Sequence, residues 1–215
     1  MRNNIEMPKQ VRHDDMQGRS MVEMLGVLAI IGVLSAGGLA GYSKAMFKHK
    51  LNTTMEQVTM LVTNIRTAYG SQRLYTGLNL AKARQLGAVP ASIGADGKNP
   101  FKGSIVIGTS KARATAADAT AFLVTYSGLP KEACIALATA DFGGGAGSGF
   151  IGVAAFPASE HEVVPAKPGD PESAPNTAGD LYVGAATEGK ALTMSQALES
   201  TACGSEINTV SWKFY

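Results

Sequence analysis

An uncharged apolar run near the N-terminus is the strongest pattern in this sequence. From Met24 to Tyr42 the residues are MLGVLAIIGVLSAGGLAGY, nineteen positions without a charged side chain. A helix of that length rises about 28 Å, close to the thickness of the hydrocarbon core of a bilayer. The run therefore predicts a transmembrane helix over about residues 24–42.

The residues that follow predict that the same helix continues with one apolar face. Apolar side chains recur at alternating spacings of four and three, which makes one stripe along a helix: Leu51, Met55, Val58, Val62, Ile65 and Tyr69. Polar residues such as Gln57 and Arg66 lie largely off this stripe. We therefore expect one long helix over residues 19–70. Its first half needs lipid or neighbouring helices, and its second half needs a domain to pack on.

After Gly70 the pattern is typical of a mixed α+β domain, over residues 71–215. Short segments with β-branched or aromatic residues, bounded by Gly, Pro or Ser, predict five strands: Ser104–Gly108, Ala121–Tyr126, Phe150–Ala155, Leu181–Gly184 and Thr209–Tyr215. Short helices are predicted at three places: Leu80–Leu86, Pro130 through Ala140, and after Thr193, where Thr193-Met194-Ser195-Gln196 fits a capping box. The predicted fold class is α+β.

Charge and composition narrow the functions that this domain could have. The 19 basic and 17 acidic residues give a net charge of +2, which makes no electrostatic case for a nucleic-acid partner. The three histidines share no metal-ligand spacing, and no serine has the GxSxG frame of a nucleophile elbow. We therefore expect no catalytic centre, no metal site and no cofactor, and the protein is not expected to be an enzyme.

The two cysteines, Cys134 and Cys203, bear on the compartment. An even pair in a chain with export features favours one disulfide, which requires an oxidising compartment; two unpaired buried thiols in a cytosolic protein are the alternative. Closing a loop of about 70 residues would destabilise the unfolded chain by about 4 kcal/mol. The helix after Pro130 would carry Cys134, and the helix after Thr193 would deliver Cys203.

Three ways of processing the apolar run are compatible with the sequence. A conventional signal peptide would be cut near Gly38-Leu39-Ala40, releasing an exported soluble binding protein. A plain anchor would retain everything, and cleavage before the run would leave it at the start of the mature chain. Glu23 favours the last of these, because a carboxylate beside a membrane helix is costly and brings no gain to a signal peptide. After cleavage before Arg19, Glu23 would lie one helical turn from the new α-amine and would suit the helix dipole.

This segment resembles the processing motif of type IV pilins, in which a glycine precedes the cut and a glutamate is the fifth mature residue, ahead of about twenty apolar residues. Gly18 and Glu23 match, whereas Arg19 stands where the family usually has an apolar residue. The resemblance implies that residues 1–18 are a leader removed by a prepilin peptidase and that the new terminus at Arg19 is methylated. It also implies that Glu23 neutralises the α-amine of a neighbouring subunit in the filament.

Three later segments are similar to class b type IV pilins, the group of the toxin-coregulated pilin: Lys98-Asn99-Pro100-Phe101, Gly128-Leu129 and Cys134-Ile135-Ala136-Leu137. The resemblance implies the type IV pilin fold, a long N-terminal helix packed on a small antiparallel sheet, with Cys134 and Cys203 bracketing an exposed C-terminal region. Within that region, Phe142–Gly149 and Pro157–Ala178 are predicted to be loops.

The function that the resemblance implies is a structural subunit of an extracellular pilus. Such a subunit waits as a single-pass protein in the inner membrane and is assembled into a helical homo-oligomer by a platform protein and an ATPase. A minor pilin or a pseudopilin of a type II secretion system shares the processing motif and is the alternative.

Glycines inside the apolar run bear on how such helices would pack. Gly37 and Gly41 have the small-xxx-small spacing that permits close helix contacts, although glycine is also simply common in membrane helices. Gly37-Gly38 is the expected position of a bend, because the helix contains no proline.

Overall fold

The computed structural model describes residues 14–72, 74–112, 119–142, 149–157, 182–183 and 191–215. The chain divides into two units, Met1–Lys48 and His49–Tyr215. The first helix, α1 (Asp14–Ala68), contributes to both. The second unit contains everything else that is described.

The C-terminal part of α1 supplies one side of the core of the second unit. Its buried side chains follow the helical period: Val58, Leu61, Val62, Ile65 and Tyr69. Leu51 and Met55 are partly buried and pack against the same core. The amphipathic helix predicted from the apolar stripe is therefore confirmed.

Gln57 is buried although the sequence pattern placed it off the stripe. Its amide nitrogen donates to the carbonyl oxygen of Ser92 at 3.0 Å, and its amide oxygen accepts a long bond of 3.5 Å from the hydroxyl of Tyr126. These bonds offset the cost of removing the amide from water. Gln57 therefore fastens the segment after α1 to the helix.

The sheet is antiparallel throughout its five strands. These are β1 (Ile105–Ser110), β2 (Ala121–Pro130), β3 (Phe150–Pro157), β4 (Tyr182–Val183) and β5 (Ile207–Phe214), in the order β1-β2-β5-β3-β4. Alternate side chains point toward α1, as the twofold period of a strand requires: Phe122, Val124 and Tyr126 from β2, and Val210, Trp212 and Phe214 from β5. The α+β prediction, with a long helix on a small antiparallel sheet, is confirmed.

All five predicted strands are present, but several ends differ. The largest difference is in β2, which continues four residues beyond Tyr126 to Pro130. The pairing of β2 with β5 shifts register between Tyr126 and Leu129 and then resumes. A bulge allows a strand to continue past such a shift in register, so β2 does not end at Ser127-Gly128.

Within the described residues, three short helices accompany the sheet: α2 (Leu80–Gln85), α3 (Lys131–Ala138) and α4 (Met194–Ala197). The predicted start of a helix at Pro130 is wrong by one residue, because Pro130 ends β2 and caps α3 in extended conformation. The predicted end at Ala140 is also wrong, since α3 ends at Ala138. The capping box at Thr193 is confirmed.

The bulge in β2 is clamped by the loop before β1. The side chain of Asn99 is buried; its amide donates to the carbonyl of Ser127 at 2.8 Å and its oxygen accepts from the backbone of Phe101 and Gly103. A Cβ on Gly103 would lie 1.7 Å from the Ser127 oxygen, so only glycine fits there. Two segments on which the family resemblance rests, at Asn99 and Gly128, thus meet in the structure.

Candidate assembly helix and disulfide-bracketed region

The predicted processing residues lie in α1. Gly18 and Arg19 fall within its first two turns, since the helix begins at Asp14, and residues 1–13 of the predicted leader lie outside the described residues. Glu23 is exposed in the next turn. Cleavage at Gly18 and neutralisation by Glu23 remain predictions.

The assembly segment, Met21–Tyr42, is exposed along its whole length. Its large apolar side chains are among the most exposed in the chain, with Leu25 at 65%, Leu28 at 62% and Val33 at 75%. Among the described residues, Met21–Ala68 is long and apolar enough to cross a membrane, a test that a signal sequence near the N-terminus also passes. Water is a poor solvent for a helix that is apolar on every side, so the assembly segment needs lipid or other helices around it.

Five glycines in the assembly segment make no close contact with the rest of the described chain. A Cβ added at Gly26, Gly32, Gly37, Gly38 or Gly41 would meet nothing within 4 Å. Each glycine costs about 1 kcal/mol relative to alanine in a helix in water. Because no contact within the chain explains that cost, these positions suit close approach by another helix. The bend at Gly37-Gly38 and this packing role stay predictions.

The predicted disulfide between Cys134 and Cys203 is confirmed. Their Cα atoms are 5.7 Å apart, and both residues are fully buried. Cys134 lies on α3 as predicted, but α4 ends at Ala197, so Cys203 is reached through a turn in which its backbone N–H donates to the Ala197 carbonyl at 3.2 Å. The disulfide holds α4 beside α3.

The disulfide-bracketed region, residues 134–203, is described only in part. The glycine-rich residues 143–148, most of the predicted loop Phe142–Gly149, lie outside the described residues, as does nearly all of Pro157–Ala178. On its described side, the backbone N–H of Leu192 donates to the Ala138 carbonyl at 3.0 Å. The segment that leads into α4 is therefore bonded directly to the end of α3.

Sequence reasoning missed a cleft beside α1. It has a volume of about 370 Å³ and lies between α1, the residues just after α3, and Phe214 of β5. Arg66 forms part of its wall and packs over Gly149, whose positive φ of 72° favours glycine at that position. No sequence pattern indicates this cleft, because its walls come from positions far apart in the chain.

Two tyrosines in the second unit, the buried Tyr126 and the partly buried Tyr75, have shifted pKa values. Burial raises the pKa of Tyr126 above its ordinary value of 10.0. Burial also raises the pKa of Tyr75, and the positive charge of Arg66 opposes that shift. In both cases the neutral phenol is favoured because the ionised form would lose its hydration. Among the described residues, no three His, Cys, Asp or Glu side chains are grouped so that they could hold a metal.

Comparisons with known proteins agree on one family. The Bundlin family model matches residues 44–187. The major structural subunit of the bundle-forming pilus of Escherichia coli O127:H6 (strain E2348/69 / EPEC) is 27% identical over 131 residues, 59% of this chain and 66% of that protein. The same subunit of Escherichia coli O111:H- matches to the same extent. These alignments span slightly less than two thirds of the relatives' length.

Among solved structures, TcpA, a type IV pilin from the Vibrio cholerae El Tor biotype, aligns with 21% identity and a TM-score of 0.49. The alignment covers 78% of this chain and 99% of that chain. The family match begins at residue 44, so it covers neither Gly18 nor Glu23.

Proposed function

The chain belongs to the bundlin family of type IV pilins, and from that premise we propose that it is a structural subunit of an extracellular type IV pilus. Two relatives are major structural subunits of a bundle-forming pilus. The observation that carries the proposal is the assembly segment, an apolar helix with every described side chain exposed. A helix of that kind is stable only in lipid or among other helices, and a filament core provides the second environment.

The driving force for assembly comes from helix packing more than from escape from water. Before assembly, lipid chains already cover the assembly segment, and lipid is about as apolar as leucine. Moving the segment into a filament therefore gains little hydrophobic free energy. The gain comes from van der Waals contact, which small residues such as Gly37 and Gly41 increase by letting backbones approach. The same segment prevents subunits from dissociating into water, where each large apolar side chain would cost about 1.5–3 kcal/mol.

Glu23 sets the position of each subunit along the filament. Cleavage between Gly18 and Arg19 by a prepilin peptidase creates an α-amine that pairs with Glu23 of a neighbouring copy. In an apolar core an unpaired carboxylate is strongly disfavoured, whereas a paired one is tolerated. Only one axial offset brings the two groups together, so the pair selects the register. The subunit starts as a single-pass inner-membrane protein, and an ATPase and a platform protein transfer it into the filament.

Glu23→Gln tests this assignment. The variant keeps the size of the side chain and loses its charge, so we expect normal cleavage and membrane accumulation but at least a tenfold loss of filaments, counted by electron microscopy with antibody to the subunit. The matched control is Glu56→Gln, an exposed glutamate on α1 in the second unit, which should assemble normally. Normal filaments from the Glu23 variant would exclude the register role.

Sequencing the N-terminus of the exported protein tests the function itself. A mature chain that begins at Arg19 supports a pilin, whereas one that begins at Gly41 would show that the assembly segment is discarded as a signal peptide. Antibody labelling along the whole length of surface filaments would identify a main subunit, as opposed to a minor pilin or a pseudopilin.

A further inference from the structure

We propose that successive subunits join through an apolar knob on α4 of one copy, which inserts into the cleft beside α1 of the next. The knob is the pair Met194 and Leu198. This inference rests on the proposed function, because it takes the partner to be a second copy of the chain. It concerns only the second unit, and it is independent of the contacts made by the assembly segment.

Two charged residues, Arg66 and Asp141, line the cleft, but the rest of its α1 wall is apolar despite the threonines there. The hydroxyl of Thr59 donates to the Met55 carbonyl at 2.9 Å, and that of Thr63 donates to the Thr59 carbonyl at 2.8 Å. Both hydroxyl groups thus donate their hydrogen bonds within α1. The threonine methyl groups are left as the surface that a partner can contact. Met55 and Val62 extend this apolar wall on the same helix. A partner can therefore cover these two threonines without removing water from a hydroxyl group that lacks another hydrogen-bond acceptor.

The opposite wall is held in place before any partner arrives. The Phe142 ring lies 5.4 Å from Trp212 and 6.4 Å from Phe150, centroid to centroid. Phe214, which also lines the cleft, packs against Phe150 in a tilted arrangement with the ring centroids 5.4 Å apart. Rings fixed by aromatic neighbours lose little further freedom on binding. The cleft is therefore preorganised.

The knob is equally fixed. Met194 begins α4 and Leu198 is its C-cap residue; they are 57% and 54% exposed and lie four residues apart, on the same side of this turn. Ala197, which lies between them in the sequence, is fully buried against the core. Its packing fixes the rotation of the turn, so Met194 and Leu198 stay on the outside. The capping box at Thr193, the bond from Leu192 to α3 and the disulfide hold the segment at both ends. Two large apolar side chains on a rigid support are an exposed feature that the fold of one copy does not explain.

The cleft is large enough to hold the knob. The side chains of Met194 and Leu198 contain eight non-hydrogen atoms, and at about 30 Å³ each, the volume of a water molecule, they need about 240 Å³. The cleft provides about 370 Å³, enough for both with space for the adjoining backbone. Charges at the edges set the orientation. Glu199 flanks the knob, and we place it toward Arg66 and away from Asp141 of the cleft.

The symmetry of this contact suits a filament. Neither knob residue lines the cleft, so each copy presents two different surfaces, one to the copy before it and one to the copy after it. A contact between unlike surfaces repeats indefinitely unless its rotation closes a ring, and it then generates a helical fibre. A contact between like surfaces would stop at a dimer. The knob and the cleft therefore provide a polymerising contact in the globular unit.

Paired cysteines in intact filaments test the contact. Thr63→Cys combined with Met194→Cys places one thiol in the cleft and one on the knob of every copy. We expect filaments sheared from cells to give a reducible ladder of dimers, trimers and larger species on a non-reducing gel. Each single variant should give no ladder. The matched control pairs Met194→Cys with Met60→Cys, an exposed α1 position outside the cleft, and should also give none.

Filament yield gives a second readout. The double variant Met194→Ser and Leu198→Ser changes only exposed side chains, so the subunit should keep its disulfide and its membrane level while filament yield falls at least tenfold. Met60→Ser should leave the yield unchanged. Filaments that form in full yield without the knob, or that show no cysteine ladder specific to position 63, would overturn the inference and leave the pilus function intact. Absence of filaments from the unmodified chain would instead refute the proposed function.

Discussion

Replacing both cysteines by alanine, C134A with C203A, is expected to lower the free energy of unfolding of the second unit by about 4 kcal/mol. The disulfide joins residues 69 positions apart, and both are fully buried. On the chain-entropy model, closing a loop of this length destabilises the unfolded chain by about 4 kcal/mol. A typical domain has a stability of only about 5–15 kcal/mol, so the variant should retain a small margin.

Trp212 makes this loss directly measurable. It is the only tryptophan in the chain, and it is fully buried in β5 against Tyr126 and Phe142. Its emission therefore reports unfolding of the second unit and is silent about the assembly segment. Guanidinium titration of the full chain in mild detergent gives the midpoint and the denaturant slope for both proteins. The slope should increase in the variant, because an uncrosslinked unfolded chain exposes more surface.

Leu61→Ala is the matched control, since it removes a fully buried side chain and keeps the disulfide. It should lower the free energy of unfolding by about 2–5 kcal/mol with no change in slope. A loss below about 1 kcal/mol in the cysteine variant would refute the loop-closure argument. An unchanged slope in that variant would show that its unfolded state is compact even without the crosslink.

Two further predictions concern the core and the loop that clamps it. Gly103→Ala should severely destabilise the second unit in the same titration, because its Cβ would overlap the Ser127 oxygen, whereas Gly108→Ala meets open space and should be tolerated. Above pH 10 the unfolded chain loses the Tyr126 proton and the folded chain keeps it, because burial raises the pKa of Tyr126; stability should therefore fall by up to about 1.4 kcal/mol per pH unit. Tyr126→Phe should reduce that slope, and an unaltered slope would contradict the assignment.

Local patterns predicted the elements of this fold well. The stripe from Leu51 to Tyr69 gave the amphipathic helix because helical period depends only on neighbouring positions. The capping box at Thr193 was correct for the same reason. The cysteine pair was correct because an even number of cysteines, in a chain whose N-terminal pattern is typical of exported proteins, restricts the alternatives.

Long-range partners account for what the sequence did not reveal. Gln57 is polar, and its burial depends on Ser92 and Tyr126, which lie 35 and 69 residues away. The extension of β2 to Pro130 depends on Asn99, which supports the bulge from another loop. The cleft and the knob were missed because each is formed by packing, and no spacing of residues in the sequence indicates either surface.

The position of β5 in the sheet has a consequence for when this protein can fold. β5 is the last described strand along the chain, yet it lies between β2 and β3 and pairs with both. Until residues 207–214 are available to pair, the β1–β2 pair and β3 share no partner, and Trp212 is missing from the core. The globular unit therefore completes its fold only when its last described strand joins the sheet, so a chain that lacks these residues would leave the inner edges of β2 and β3 unpaired.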